Sequence, residues 1–162
     1  MNVKNIHTII SKKFADFVNH NEENNVIFIK SEKWIEIAEE LKNHKDLTFD
    51  YLMCVTGYDN GAGNTLGVAY NFYSTSKKHY LEIRIEVERD NPVIPSIEKL
   101  WKTADWLERE TFDLYGVDFS GHWDLRRILL PADWEGYPLR KDFTEPNYYN
   151  GMPVPKDKSY WE

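Results

Sequence analysis

The chain has 162 residues, 41% of them hydrophobic and 29% charged, which suits one folded domain and excludes disorder of the whole. Its formal net charge of −7 argues against a nucleic-acid binder, and its single cysteine excludes an internal disulfide, as expected of a reducing compartment. No apolar run reaches the eighteen residues that span a bilayer and the N-terminus lacks a signal-peptide core, so membrane contact is expected only through a partner.

In chain order, Val3, Ile6, Ile10, Phe14 and Phe17/Val18 recur at helical spacing and predict an amphipathic helix over 3–19, ending in the polar run NHNEENN. The β-branched run 25–30 predicts a strand. Ser31 is the expected N-cap of a second helix that buries Trp34, Ile37, Ala38 and Leu41. Residues 47–59, 66–75 and 79–89 read as three strands. The third alternates cleanly, with Leu81, Ile83, Ile85 and Val87 on one face and Glu82, Arg84, Glu86 and Glu88 on the other. NGAGN reads as a turn, and the short loops predict an antiparallel meander. Cys54, inside the first of these strands, reads as core filler.

Ser96 is the expected cap of a long helix over 97–115, closed by Gly116. This order predicts an α+β, two-layer domain. Its mainly antiparallel sheet carries helices on one side and is followed by an extended C-terminal tail. Residues 1–130 are expected to form the body and 131–162 the tail. The tail holds five of the seven prolines and the aromatics Trp134, Tyr137, Phe143, Tyr148, Tyr149, Tyr160 and Trp161. Prolines with aromatics and no periodicity suggest a strap over the body or over a partner.

On a helical wheel, Ile97, Trp101, Ala104, Thr111, Phe112 and Tyr115 share one arc, and Glu108 falls near its centre. Arg109 and Glu110 lie on the flanks. A carboxylate amid apolar residues needs a cation or other donors, because desolvating it is costly. Arg126, Arg127, Arg140 and Lys141 are the expected partners, in an ion pair that pins the tail to the helix. The sharper alternative makes Glu108 a catalytic acid, with Asp113 as a second carboxylate on the wall of a concave pocket. The five histidines form neither HxxxH nor HxH, and no CxxC, P-loop, GxGxxG or GxSxG occurs. The residues alone therefore predict a binding module with no catalytic residues and no metal ligands of its own.

The segment ERETFDLYGVDFSGHWDLRRILLPADWEGYPLRKDF, 108–143, resembles the signature of the C subunit of proton-pumping NADH–quinone oxidoreductase, respiratory complex I. Glu108, Arg109, Glu110, Asp113, Gly116, His122, Arg126 and Ile128 match it, with Arg127 beside the basic–hydrophobic pair. GYPLRKDF, with Tyr137, Arg140, Lys141 and Phe143, is typical of that family's C-terminal segment. The resemblance implies a peripheral-arm protein that binds no cofactor, in a complex that uses FMN, iron–sulfur clusters, NADH and quinone. It implies a hetero-oligomer packed against the B and D subunits, peripheral on the cytoplasmic side of the cell membrane. Some relatives fuse the C and D subunits, and a chain ending at Glu162 is expected to be the unfused form. A similar domain occurs in membrane-bound hydrogenases and ferredoxin-linked complexes, which is the alternative reading. Within this resemblance, the Glu108 cluster is expected to organise the tail for docking.

Overall fold

The computed structural model describes residues 2–61 and 63–154; Tyr160 and Trp161 of the expected strap lie outside the described residues. Helix α1, Val3–Phe14, begins where the Asn2 side chain accepts the N–H of Lys4, and it buries Val3, Ile6 and Ile10 at three- and four-residue spacing. The helix expected over 3–19 stops there. A 3-10 turn, Ala15–Phe17, leads into strand β1, Val18–Asn21, which pairs antiparallel with β2, Val26–Ile29. The polar run is thus the end of β1 and the hairpin turn that follows it. The Asn21 side chain accepts the N–H groups of Glu23 and Asn24, and Asn25 takes a φ of 55°.

Helix α2, Trp34–Asn43, buries the expected Trp34, Ile37, Ala38 and Leu41. Ser31 does not cap it. A 3-10 turn over Ser31–Lys33 intervenes, and the helix starts with no side-chain cap. Strands β3, Tyr51–Asp59, β4, Leu66–Ser74, and β5, His79–Val87, form the expected meander. Leu47 and Phe49, expected in the first strand, lie ahead of it and are fully buried. The register slips between Leu52 and Cys54, a bulge at Met53.

β2 runs parallel to β5, giving one five-stranded sheet ordered β1-β2-β5-β4-β3. Its inner face presents Leu66, Val68, Tyr70 and Phe72 of β4 and Leu81, Ile83, Ile85 and Val87 of β5 to the helices. Cys54 is not core filler. Beyond the bulge it is only half-buried, with Sγ 3.0 Å from Thr56 Oγ1.

The long helix expected over 97–115 is broken. Strand β6, Val93–Pro95, comes first. A single turn then closes with the Leu100 and Trp101 N–H groups on the Ile97 carbonyl. Helix α3 spans only Ala104–Tyr115, and strand β7, Asp118–Ser120, then returns parallel to β6. The Ser96 hydroxyl accepts the Glu98 N–H and so caps the short turn instead. The break lets Trp101 enter the core, where its indole N–H donates to the Phe49 carbonyl at 3.1 Å. Gly116 ends α3 as expected, at a φ of 71° with its N–H on the Phe112 carbonyl.

After Ser120 no described residue joins the five-stranded sheet. An arm over 121–154 lies along α3. It ends in a small hairpin of β8, Tyr148–Tyr149, and β9, Met152–Pro153, turned by Asn150 and Gly151 at φ 49° and 78°. That Asn-Gly pair is the standard two-residue hairpin signal, which the proline and aromatic content of the tail obscures.

Candidate functional site

α3 sits against β3 closely enough that a Cβ on Gly57 would overlap the Tyr115 ring. One face of α3 is thereby committed to the sheet; Glu108, two turns before Tyr115, lies on that buried face, while Arg109 and Glu110 lie to its flanks. Glu108 is wholly buried. The cations expected as its partners are elsewhere. Its carboxylate accepts the Ser96 hydroxyl at 2.5 Å and the Ile97 N–H at 2.9 Å, so it fastens the 96–97 turn to α3 rather than the tail. Burial pushes the carboxyl up to about 7, offset in part by those two bonds and reinforced by Glu98 and Asp105.

The start of the arm is held by Asp113, about one helical turn and a half further on. Its Oδ2 accepts three consecutive backbone N–H groups, from Ile128, Leu129 and Leu130, at 2.9, 2.7 and 2.9 Å. Its Oδ1 takes the Arg127 guanidinium at 2.7 Å. Successive N–H groups curling round one oxygen form an anion nest, here filled by a side chain of the same protein. Burial alone would raise the Asp113 carboxyl. The three N–H groups and Arg127 together outweigh it and hold the carboxyl below its ordinary range.

Arg127 continues outward, bonding the Asp113 and Gly136 carbonyls, each at 2.9 Å. Tyr137 lies between two guanidinium groups, 5.3 Å from Arg127 and 4.6 Å from Arg140, and edge-on to Phe112. Arg140 donates to the Tyr115 and Gly116 carbonyls, where a cation suits the C-terminal end of α3. Phe143 packs over Gly136, and the Lys141 N–H donates to Asp59 at 2.8 Å. Arg89 joins Asp59 to Asp142, closing a bridge from the strand hairpin to the arm. Burial again opposes the ionised form of Asp59, but the Lys141 and Gly61 N–H groups and Arg89 prevail and lower its pKa.

Of the remaining signature residues, Arg109 and His122 line the same seam. Arg109 reaches the Arg126 and Arg127 carbonyls at 3.3 and 3.5 Å. Arg126 itself is exposed and pairs locally with Asp124. His122 buries its ring against Asp105, with Nε2 at 3.1 Å from the Asp105 carbonyl oxygen, while its Nδ1 accepts the Asp124 N–H. Glu110 faces solvent. Two residues that no sequence pattern singles out, Trp106 and Trp123, are 68% and 69% exposed, and the Trp123 indole is fixed to Asp105. Leu129 and Tyr148 extend this apolar exposure along the arm.

Glu108 and Asp113 are both closed to solvent and engaged by protein donors, so the pocket with two carboxylates on its wall does not form around them. Among the described residues no three His, Cys, Asp or Glu side chains converge as a metal-ligand set. No helix among them is long and apolar enough to cross a membrane.

The profile of the family described as "Respiratory-chain NADH dehydrogenase, 30 Kd subunit" matches residues 27–149. The C subunit of the NADH-quinone oxidoreductase of Chloroherpeton thalassium is 43% identical over 154 residues, covering 92% of this chain and 64% of that protein. This chain therefore spans just under two thirds of that relative. The corresponding C subunit of Chlorobium phaeobacteroides is 38% identical and is covered over 93% of its length, against 92% of this chain. The J subunit of the NAD(P)H-quinone oxidoreductase of a Synechococcus species is 42% identical over 126 residues, 70% of this chain and 64% of that protein. Two solved structures share the fold. The trypsin-resistant fragment (1–134) of Nqo5 has a TM-score of 0.59 and 24% identity, covering 77% of this chain and 100% of the fragment. A chain of an archaeal membrane-bound sulfane sulfur reductase has a TM-score of 0.68 and 19% identity, covering 87% and 85%.

Proposed function

The chain belongs to the 30 kDa subunit family of the respiratory-chain NADH dehydrogenase, and from that premise we propose that it is the cofactor-free, peripheral-arm C subunit of an NADH–quinone oxidoreductase. In this reading it supports electron transfer from NADH, through FMN and iron–sulfur centres held by sister subunits, to quinone, coupled to proton translocation. The B and D subunits are its direct partners, and it rides on the cytoplasmic side of the cell membrane through them.

The observation that carries the reading is the stapled arm. A segment with no place in the sheet is fixed along α3 by Asp113, Arg127 and Arg140 and presents Trp123, Leu129 and Tyr148 outward, with Trp106 exposed on α3 itself. Large apolar side chains held rigidly at a surface lower the entropic cost of docking, and buried aromatics commonly dominate interface energy. In this role 1–130 supplies the body and 131–162 the partner-binding tail, with Tyr137, Arg140, Lys141 and Phe143 fixing its course. Glu108, Arg109 and Glu110 belong to the helix beneath it and Gly116 closes that helix, while His122 and Arg126 belong to the start of the arm. The alternative, a place in a membrane-bound hydrogenase or ferredoxin-linked relative, has the fold of the sulfur reductase chain behind it. The identities of about 40% lie with the quinone-linked proteins.

The double substitution Trp106→Lys and Leu129→Lys tests this. Both side chains are solvent-exposed, so the thermal midpoint of the lone chain stays within a degree or two. Recovery of sister subunits with the tagged chain from membranes falls about tenfold or more. Wild-type recovery would overturn the docking role.

A further inference from the structure

Glu108 has a burial problem that no cation solves. Its side chain is fully enclosed, it forms no ion pair among the described residues, and the donors that reach it are the Ser96 hydroxyl and the Ile97 N–H. The groups facing it are acidic or neutral. Asp105 lies on its own helix, held by His122 and Trp123. Glu98, almost fully buried, lies on the turn, paired with the largely exposed Lys102. Tyr70 lies on β4, fully buried, its hydroxyl near the Trp34 indole but outside hydrogen-bonding geometry. Arg109, the nearest cation in sequence, turns away to the Arg126 and Arg127 carbonyls.

We propose that Glu108 is a proton-operated latch: as the neutral acid it closes the seam between the 96–103 turn and α3, and its ionisation loosens that seam. As the neutral acid, Glu108 accepts the Ile97 N–H on one oxygen and turns its own O–H onto the Ser96 oxygen 2.5 Å away, whereas a full negative charge beside Glu98 and Asp105 has only those two groups to support it in this apolar setting. Burial, the largest cause, accordingly raises the carboxyl from 4.5 to about 7. The sign follows from linkage. Below 4.5 the folded and unfolded chains both hold the proton; between 4.5 and about 7 only the folded chain does; above that neither does. The latch contribution therefore falls as pH rises through this window and is flat beyond it. This is opposite to Asp113, Asp59, Asp50 and Glu22, whose lowered values place their effects in more acid solution.

The direct test is a carbon-13 titration of the full chain labelled at glutamate carboxyls. The Glu108 signal is expected to inflect near neutrality, and inflection alongside the exposed glutamates would overturn the proposal. The second test compares urea unfolding of wild type and Glu108→Gln from about pH 5 to pH 7. The wild-type unfolding constant is expected to rise relative to the variant by up to about tenfold per pH unit. Parallel pH profiles would equally overturn it. Should the variant fail to fold, the wild-type titration decides alone.

Discussion

Replacing Asp113 by alanine releases the arm and lowers stability by about 3–5 kcal/mol, the loss expected when one partner of a buried, hydrogen-bonded charge pair is removed. The magnitude follows from what is left behind. Three backbone N–H groups, of Ile128, Leu129 and Leu130, lose their acceptor together, and the mostly buried Arg127 guanidinium loses its carboxylate. Each unsatisfied donor costs about 1–3 kcal/mol where water cannot reach it, and partial opening of the arm to solvent recovers some of that. Asparagine is no remedy, since its amide nitrogen points a donor at donors. Urea unfolding measures the loss, and limited trypsin digestion locates it: cleavage after Arg126 and Arg127 should accelerate while the sheet core stays protected. Unchanged midpoint and unchanged cleavage would mean that the arm is held by something other than this carboxylate. The wild type has its own signature. Because the folded Asp113 carboxyl lies below its ordinary 3.8, the stability it confers is fully present above that value and is lost as pH falls through the lowered one.

Some of this is legible in the sequence, and the rest is hidden for physical reasons. Period-two alternation in β5 and the three- and four-residue stripe of α2 are readable because burial on one face imposes its own spacing. The β2–β5 parallel contact is not, since it joins strands far apart in the chain and leaves no local pattern. A helical wheel finds the acid in an apolar stripe but assigns it the wrong partner. The wheel treats 97–115 as one cylinder, and the break before Ala104 carries Ser96 and Ile97 round onto Glu108. The role of Asp113 escapes a motif search because its partners are backbone N–H groups, which every residue but proline carries.

Gly116→Ala is the second large expected effect, about 2–4 kcal/mol, and it separates two causes that usually travel together. At a φ of 71° any side chain strains the backbone, by about 1 kcal/mol for alanine. The added Cβ would also overlap the Tyr137 ring and stand 2.6 Å from an Arg140 guanidinium nitrogen, a collision worth a further ~1–3 kcal/mol. Gly121 is the internal control: its φ is 83° and nothing lies within 4 Å of a Cβ there, so Gly121→Ala carries the backbone cost alone. The difference between the two variants in urea unfolding measures how tightly the arm presses on the end of α3. Equal losses would show that Tyr137 and Arg140 yield freely, leaving the arm's course to Asp113 and Asp59. A larger loss at Gly116 means that helix end, tyrosine ring and paired guanidinium groups form one rigid joint. The exposed residues beyond it are then presented in a fixed direction, as a docking face requires.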